Sequence, residues 1–123
     1  QKFDSDTERR FAVILERDAL KWFKPAKGQF QIYYKLGSEQ PEYIPDFVVE
    51  LDSMIFMVET KARVDIDTPE VQAKAVAAAR WCKHASDHAA SVGGKTWRYL
   101  LVPHDDIVES KRLTDFLRFE VKA

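Results

Sequence analysis

The sequence predicts an α/β fold in which a mixed four-stranded sheet packs against helices, with the element order α-β-β-β-α-β-α. Two runs rich in Val, Ile, Phe and Tyr, Tyr43–Glu50 and Ile55–Lys61, flank a polar cluster and predict a β-hairpin. A helical pattern and a further apolar run follow the hairpin, which favours a right-handed crossover between parallel strands. The chain has 123 residues, 46% of them hydrophobic and 32% charged, as expected for one folded domain.

The N-terminal helix begins with the spacing of a capping box, Ser5 and Glu8. We expect it to run to about Phe23, before Pro25 and Gly28. Glu8 lies in the middle of the apolar face, so it either closes the capping box or points towards the sheet, and the two roles are compatible. The residues of that face are Phe11, Ala12, Leu15, Ala19, Trp22 and Phe23.

The first strand is predicted at Gln29–Leu36, followed by a loop at 37–41. In the hairpin that comes next, a two-residue turn at Asp52 and Ser53 places Asp46 opposite Glu59. Opposed residues have Cβ atoms about 4.5–5.5 Å apart, and side chains alternate along a strand, so Glu59 and Lys61 share one face. Because opposed like charges destabilise a strand pair, this arrangement indicates a site for a divalent cation. The simpler alternative is that Lys61 only neutralises Glu59 on a surface strand.

A second helix is predicted from Thr68, a suitable N-cap followed by Pro69, to about Ser91, before two glycines. A fourth strand at Thr96–Pro103 should lie parallel to the strand that carries Glu59. A final helix is predicted from about Asp105 to Leu117. The buried face of the second helix is predicted to consist of Val71, Ala75, Ala78, Cys82, Ala85 and Ala89.

Charge and cysteine content restrict the function classes. The net charge is −1, from 19 basic and 20 acidic residues, whereas a protein that holds nucleic acid alone usually has a basic excess. A single cysteine, Cys82, excludes an internal disulfide and favours a reducing, cytoplasmic location. No apolar run is long enough to span a membrane. We expect the chain to be one domain, 1–123, cut from a larger protein.

Pro45-Asp46 followed by Glu59-Thr60-Lys61 resembles the motif of the PD-(D/E)xK nucleases. With Ser5–Ala12, the pattern is similar to the C-terminal nuclease domain of the restriction subunit of type III restriction enzymes and related helicase–nuclease proteins. The resemblance covers roughly residues 5–102. It implies a restriction-endonuclease-like three-layer sandwich and Mg²⁺-dependent hydrolysis of DNA, with Mn²⁺ as a substitute.

The resemblance also implies a role for each matched residue. Asp46, Glu59 and the backbone carbonyl of Thr60 would hold the metal, Lys61 would orient or deprotonate the attacking water, and Glu8 would support the site. Gln72, Lys74 and Arg63 are candidates for auxiliary or DNA phosphate contacts. The implied partners are DNA, an ATP-dependent helicase or translocase in the same chain, and a modification subunit.

Two other function classes are kept open. The neutral charge favours a catalytically inactive module of the same fold that binds DNA or docks a partner, and a different metal-dependent hydrolase on this fold is a further alternative. His84 and His88 have a spacing that can bind zinc, but no third ligand is evident beyond Cys82, which lies on the predicted buried face.

Overall fold

The computed structural model describes residues 5–123, which form an α/β fold around a mixed four-stranded sheet. Helix α1 spans Asp6–Asp18 and helix α2 spans Pro69–Val92. The strands in this part of the chain are β1 (Lys21–Phe23), β2 (Ile32–Tyr33), β3 (Glu42–Tyr43), β4 (Phe47–Glu50), β5 (Met54–Lys61) and β6 (Thr96–Pro103). The main sheet has the strand order β1-β4-β5-β6, and β2 pairs with β3 in a separate two-stranded sheet.

The β4–β5 hairpin has the predicted register. Phe47 pairs with Val58 and Glu50 pairs with Ile55, in antiparallel orientation. The Leu51 N–H donates to the Met54 carbonyl at 2.8 Å, which closes the turn at Asp52 and Ser53. Counting one residue outward from Phe47 and Val58 brings Asp46 level with Glu59.

The parallel pairing predicted for the two strands that α2 connects, β5 and β6, is also confirmed. Strand β6 pairs with β5 in parallel, so that Lys61 lies beside Pro103 at the same end of the sheet. Pro69 occupies the first turn of α2, and Gly93 ends the helix with a φ of 74°, in the left-handed region that glycine adopts without a steric cost.

The two faces of the sheet are covered by different helices. On one face, Phe11, Ile14 and Leu15 of α1 pack against apolar residues of β4, β5 and β6. On the other face, the small side chains of α2, among them Ala75 and Ala78, pack against Met57, Tyr99 and Leu101. Because side chains alternate along β5, Glu59 and Lys61 project from the same face as Met57, towards α2.

The N-terminal helix is shorter than predicted. Ser5 does cap α1, since its hydroxyl accepts the Glu8 N–H at 3.1 Å, but the helix ends at Asp18 rather than near Phe23. The Leu20 N–H donates to the Glu50 carbonyl at 2.9 Å, which draws the next residues into the sheet as β1. Trp22 and Phe23 therefore belong to a strand, where aromatic residues pack well on a pleated surface.

The strand predicted at Gln29–Leu36 is not part of the main sheet. Only Ile32 and Tyr33 form β2, which pairs with Glu42 and Tyr43 of β3. Gln31, just before β2, has a φ of 56°, and the chain turns at that point. The fourth strand of the main sheet is β1 instead, and the strand predicted at Tyr43–Glu50 is divided into β3 and β4.

The predicted C-terminal α-helix is also wrong. Two short 3₁₀ segments, His104–Asp106 and Leu113–Phe119, take its place, and Leu113 and Phe116 still pack into the core under α1. The chain then runs beside β6, where the Val121 N–H donates to the Tyr99 carbonyl at 2.9 Å. No helix within residues 5–123 is both long enough and apolar enough to cross a membrane.

Candidate active site

Asp46 is anchored to β5 through its carboxylate. It follows the buried Pro45 and directly precedes β4, and its Oδ2 atom accepts the Thr60 N–H at 2.8 Å and the Thr60 hydroxyl at 3.1 Å. The Thr60 N–H belongs to the peptide that follows Glu59. The hairpin register and this pair of hydrogen bonds therefore hold Asp46 next to Glu59.

Glu59 is a buried carboxylate on the face of β5 that is covered by α2. Glu59 is only 8% exposed, and its Oε1 atom accepts a hydrogen bond from the Tyr43 hydroxyl at 2.7 Å. The Tyr43 hydroxyl lies 2.9 Å from that of Tyr99. Burial raises the pKa of Tyr43 well above 10, so that it stays protonated and can donate to Glu59. Tyr43 thus holds Glu59, and Tyr99 of the main sheet holds the Tyr43 hydroxyl.

Lys61 lies two residues beyond Glu59 on the same face, as predicted. Its Nζ atom is 3.9 Å from Glu59 Oε2, and its side chain is 32% exposed. The ammonium group therefore lies near the Glu59 carboxylate and is also open to solvent, where it could contact a water or a phosphate oxygen.

Burial destabilises the ionised forms of both carboxylates of the site. Burial, followed by the nearby charge of Asp46, raises the pKa of Glu59 to about 8, although Tyr43, Lys61 and Lys74 oppose the shift. Burial also raises the pKa of Asp46, with a contribution from Glu8 and opposition from the hydrogen bonds of Thr60. A bound cation would stabilise both ionised carboxylates, because an opposite charge nearby favours the charged form.

Glu8 points towards the sheet, and its side chain pairs with Lys24. The Lys24 Nζ atom lies 2.6 Å from Glu8 Oε1 and 3.5 Å from the Asp46 carbonyl oxygen. Glu8 is 6% exposed. Of the two roles left open for Glu8, its side chain is thus directed towards Asp46, while its backbone N–H takes part in the helix cap.

The three auxiliary candidates differ in their surroundings. Lys74 of α2 is half-buried: it pairs with Glu70 at 3.1 Å, and its charge acts on Glu59. Arg63 is paired with two carboxylates, those of Asp105 at 3.0 Å and Asp106 at 2.7 Å. Gln72 is exposed and donates to the Ile66 carbonyl at 2.8 Å. Only Lys74 of these three acts electrostatically on Glu59.

Among the described residues, each carboxylate of the site leaves one oxygen atom available to a metal. Within residues 5–123, Asp46 Oδ1 and Glu59 Oε2 accept no hydrogen bond, while the other oxygen of each carboxylate is held by Thr60 or Tyr43. No three His, Cys, Asp or Glu side chains in the described part of the chain gather into a metal-binding group. The set fits Mg²⁺, which is usually bound through one or two carboxylates and completes its shell with waters and phosphate oxygens. His84 and His88 are exposed on α2.

Three residues of this site were not predicted from the sequence: Tyr43, Tyr99 and Lys24. Lys24 directly follows β1, which sequence reasoning assigned to the helix, so its position beside Glu8 could not be anticipated. The tyrosines belong to β3 and β6 and meet only through tertiary packing. Their one indication in the sequence was their place on predicted strands.

No model of a known protein family matches this sequence, and no curated protein matches it either.

Proposed function

We propose that this chain is a Mg²⁺-dependent DNA endonuclease domain with a restriction-endonuclease-like sandwich fold, belonging to a restriction or helicase–nuclease protein. The observation that carries the proposal is the register-matched pair Asp46 and Glu59, with Lys61 on the face of Glu59 and 3.9 Å from it. Helices on both faces of a mixed sheet, and a buried glutamate on α1 whose charge acts on Asp46, support it.

The metal ligands would be Asp46, Glu59 and the backbone carbonyl of Thr60. Both side chains offer an oxygen that accepts no hydrogen bond from residues 5–123. Both carboxylates have raised pKa values, which a bound cation would lower. When bound, Mg²⁺ lowers the pKa of a coordinated water and stabilises charge on the phosphate. Mn²⁺ prefers similar oxygen ligands and should substitute.

Lys61 is the residue that would orient or deprotonate the attacking water. Its ammonium group can donate hydrogen bonds to a hydroxide or to the developing charge on a phosphate oxygen. Because the side chain is one-third exposed, it can meet a substrate that approaches from solvent. Tyr43 keeps Glu59 from rotating, and the Glu8–Lys24 pair holds the backbone of Asp46 through its carbonyl.

The nearly neutral net charge indicates that the chain depends on other domains to bind DNA. Phosphate contacts by Lys and Arg supply most non-specific DNA affinity, and a chain with a net charge of −1 supplies little of it. We therefore expect the grip on DNA to come from other domains of the parent protein, such as an ATP-dependent translocase, and the isolated chain to cleave slowly.

The test is cleavage of plasmid DNA and of single-stranded circular DNA by the chain, alone and in its parent protein, with Mg²⁺ or Mn²⁺. Asp46→Asn and Lys61→Ala should each lower the rate at least a hundred-fold, the range for loss of a group that acts on the transition state. Lys83→Ala and Asp87→Asn, an exposed ion pair on α2, serve as controls and should cleave like wild type. Equal cleavage by wild type and Asp46→Asn would disprove the proposal.

A catalytically inactive module that binds DNA or docks a partner is the second candidate, favoured by the net charge. Calorimetric titration with Mn²⁺ separates the two functions, because a docking module has no need of a metal. Binding of Mn²⁺ that is lost in Asp46→Asn supports the nuclease, whereas DNA binding by a chain that takes up no metal supports the inactive module.

A further inference from the structure

A groove of about 520 Å³ lies between α2 and the segment that joins β2 to β3. We call it the hairpin groove, after the β2–β3 hairpin rather than the β4–β5 hairpin. One wall consists of Tyr33, Lys35 and Gln40, and the other includes Gln72 and Arg80 of α2. The roles given above to Asp46, Glu59 and Lys61 leave this surface unused.

Tyr33 presents its ring to solvent in this groove. Ile32 and Tyr34, its neighbours in sequence, are 3% and 7% exposed and anchor the segment in the core, whereas Tyr33 is 55% exposed. The alternation of side chains along β2 accounts for this outward position. An aromatic ring held on an anchored strand and left open to solvent is a surface on which a planar ligand can stack.

The charges in the groove favour an anion. Lys35 and Arg80 are on opposite walls, and none of the described residues places a carboxylate in the lining of the groove, although the chain as a whole has more acidic than basic residues. Neither cation forms an ion pair within residues 5–123, where many other Lys and Arg side chains do. The carboxylate of Glu42 on β3 is not paired with either cation, since it accepts a hydrogen bond from the Gly28 N–H at 2.6 Å. The groove therefore offers two unpaired cations to a ligand.

The hairpin groove is connected to the carboxylates by a short layer of side chains. Tyr34 lines the groove, and the Lys74 ammonium lies 5.5 Å from the centre of its ring and 6.0 Å from that of Tyr43. Tyr43 in turn donates to Glu59. A polymer seated in the groove would thus have Lys74 between it and the candidate active site.

We propose that the hairpin groove binds a single strand of DNA, with a base stacked on Tyr33 and neighbouring phosphates contacted by Lys35 and Arg80. Stacking on an exposed aromatic ring combined with cations that follow the backbone is how proteins hold unpaired strands. In a duplex, the faces of the bases are already stacked on one another, so Tyr33 would have no base to receive. The inference rests on the proposed nuclease function for its choice of DNA, and it specifies the form of the substrate.

The experiment measures DNA binding without cleavage. Asp46→Asn protein in EDTA is titrated into fluorescein-labelled oligothymidylate, and separately into a labelled duplex, and anisotropy is recorded over a range of salt concentrations. Tyr33→Ser should weaken binding of the single strand about five- to a hundred-fold, while Tyr33→Phe, which keeps the ring, should bind like the parent. The double change Lys35→Gln and Arg80→Gln should reduce the slope of log affinity against log salt by about 1.4, or about 0.7 for each cation.

A matched control removes two cations outside the groove, through Lys21→Gln and Lys83→Gln, and should leave the slope nearly unchanged. The proposal is overturned if both double variants lower the slope equally, if Tyr33→Ser binds oligothymidylate like its parent, or if Tyr33→Ser weakens duplex and single strand to the same extent. Cleavage by the original chain is scored separately. If the groove substitutions abolish single-strand binding but the original chain never cleaves DNA, only the proposed nuclease function is refuted. If the original chain cleaves DNA but the groove substitutions leave single-strand binding unchanged, only the groove proposal is refuted.

Discussion

Removal of the Glu59 carboxylate should change how stability depends on pH in the metal-free chain. Burial and the charge of Asp46 raise the pKa of Glu59 from 4.5 to about 8. Between these values the folded chain binds a proton that the unfolded chain does not. The free energy of unfolding is therefore highest below about pH 5 and falls as pH rises towards 8.

The size of this effect follows from the same two values. At about 1.4 kcal/mol for each pH unit, the full loss between pH 5 and pH 8 is about 3–5 kcal/mol. Glu59→Gln keeps the shape and hydrogen-bonding capacity of the side chain but cannot ionise, so its stability should stay nearly level over this range. At pH 8 the variant should be more stable than wild type by a similar amount.

The assay is urea denaturation at several pH values between 5 and 8, in EDTA and again with excess Mg²⁺ or Mn²⁺. Glu16→Gln, an exposed carboxyl on α1, is the matched control and should follow wild type. A bound metal should restore wild-type stability at pH 8 and leave Glu59→Gln unchanged. Parallel curves for wild type and Glu59→Gln in EDTA would refute the reasoning from burial.

Two further predictions concern the scaffold. Asp18, held by Arg17 and by the Leu113 N–H at 2.9 Å, has its pKa lowered to about 2; Asp18→Asn should cost about 1–2 kcal/mol at pH 7, a deficit that disappears as pH falls from 4 to 2, in urea titrations with the exposed Asp87→Asn as control. Burial raises the pKa of the Cys82 thiol to about 12, so iodoacetamide should modify native protein at pH 8 far more slowly than urea-unfolded protein, and equal rates in a mass-spectrometric time course would contradict its burial.

The hairpin and its carboxylates could be predicted because local sequence determines them. A two-residue turn sets the register, and alternation sets the faces, so Asp46, Glu59 and Lys61 follow from counting along the chain. The roles of these residues in catalysis remain predictions. The crossover through α2 could be predicted for a similar reason, since a long helix between two apolar strands has one favoured handedness.

Other features depend on tertiary contacts that a sequence pattern does not contain. Trp22 and Phe23 continue the helical spacing of α1, and only the pairing of β1 with β4 places them in the sheet. Alternation at Gln29–Leu36 suggests a full strand, but the turn at Gln31 limits it to Ile32 and Tyr33. The C-terminal apolar residues reach the core from 3₁₀ segments because their spacing also suits that tighter geometry.

The central claim is that Asp46 and Glu59 hold one divalent cation. The most direct measurement is anomalous diffraction from a crystal of the chain soaked in Mn²⁺. We predict an anomalous peak at about 2.0–2.3 Å, a usual metal–oxygen bond length, from oxygen atoms of Asp46 and Glu59 and from the Thr60 carbonyl. An empty map at this position in a crystal whose exposed carboxylates do bind Mn²⁺ would contradict it.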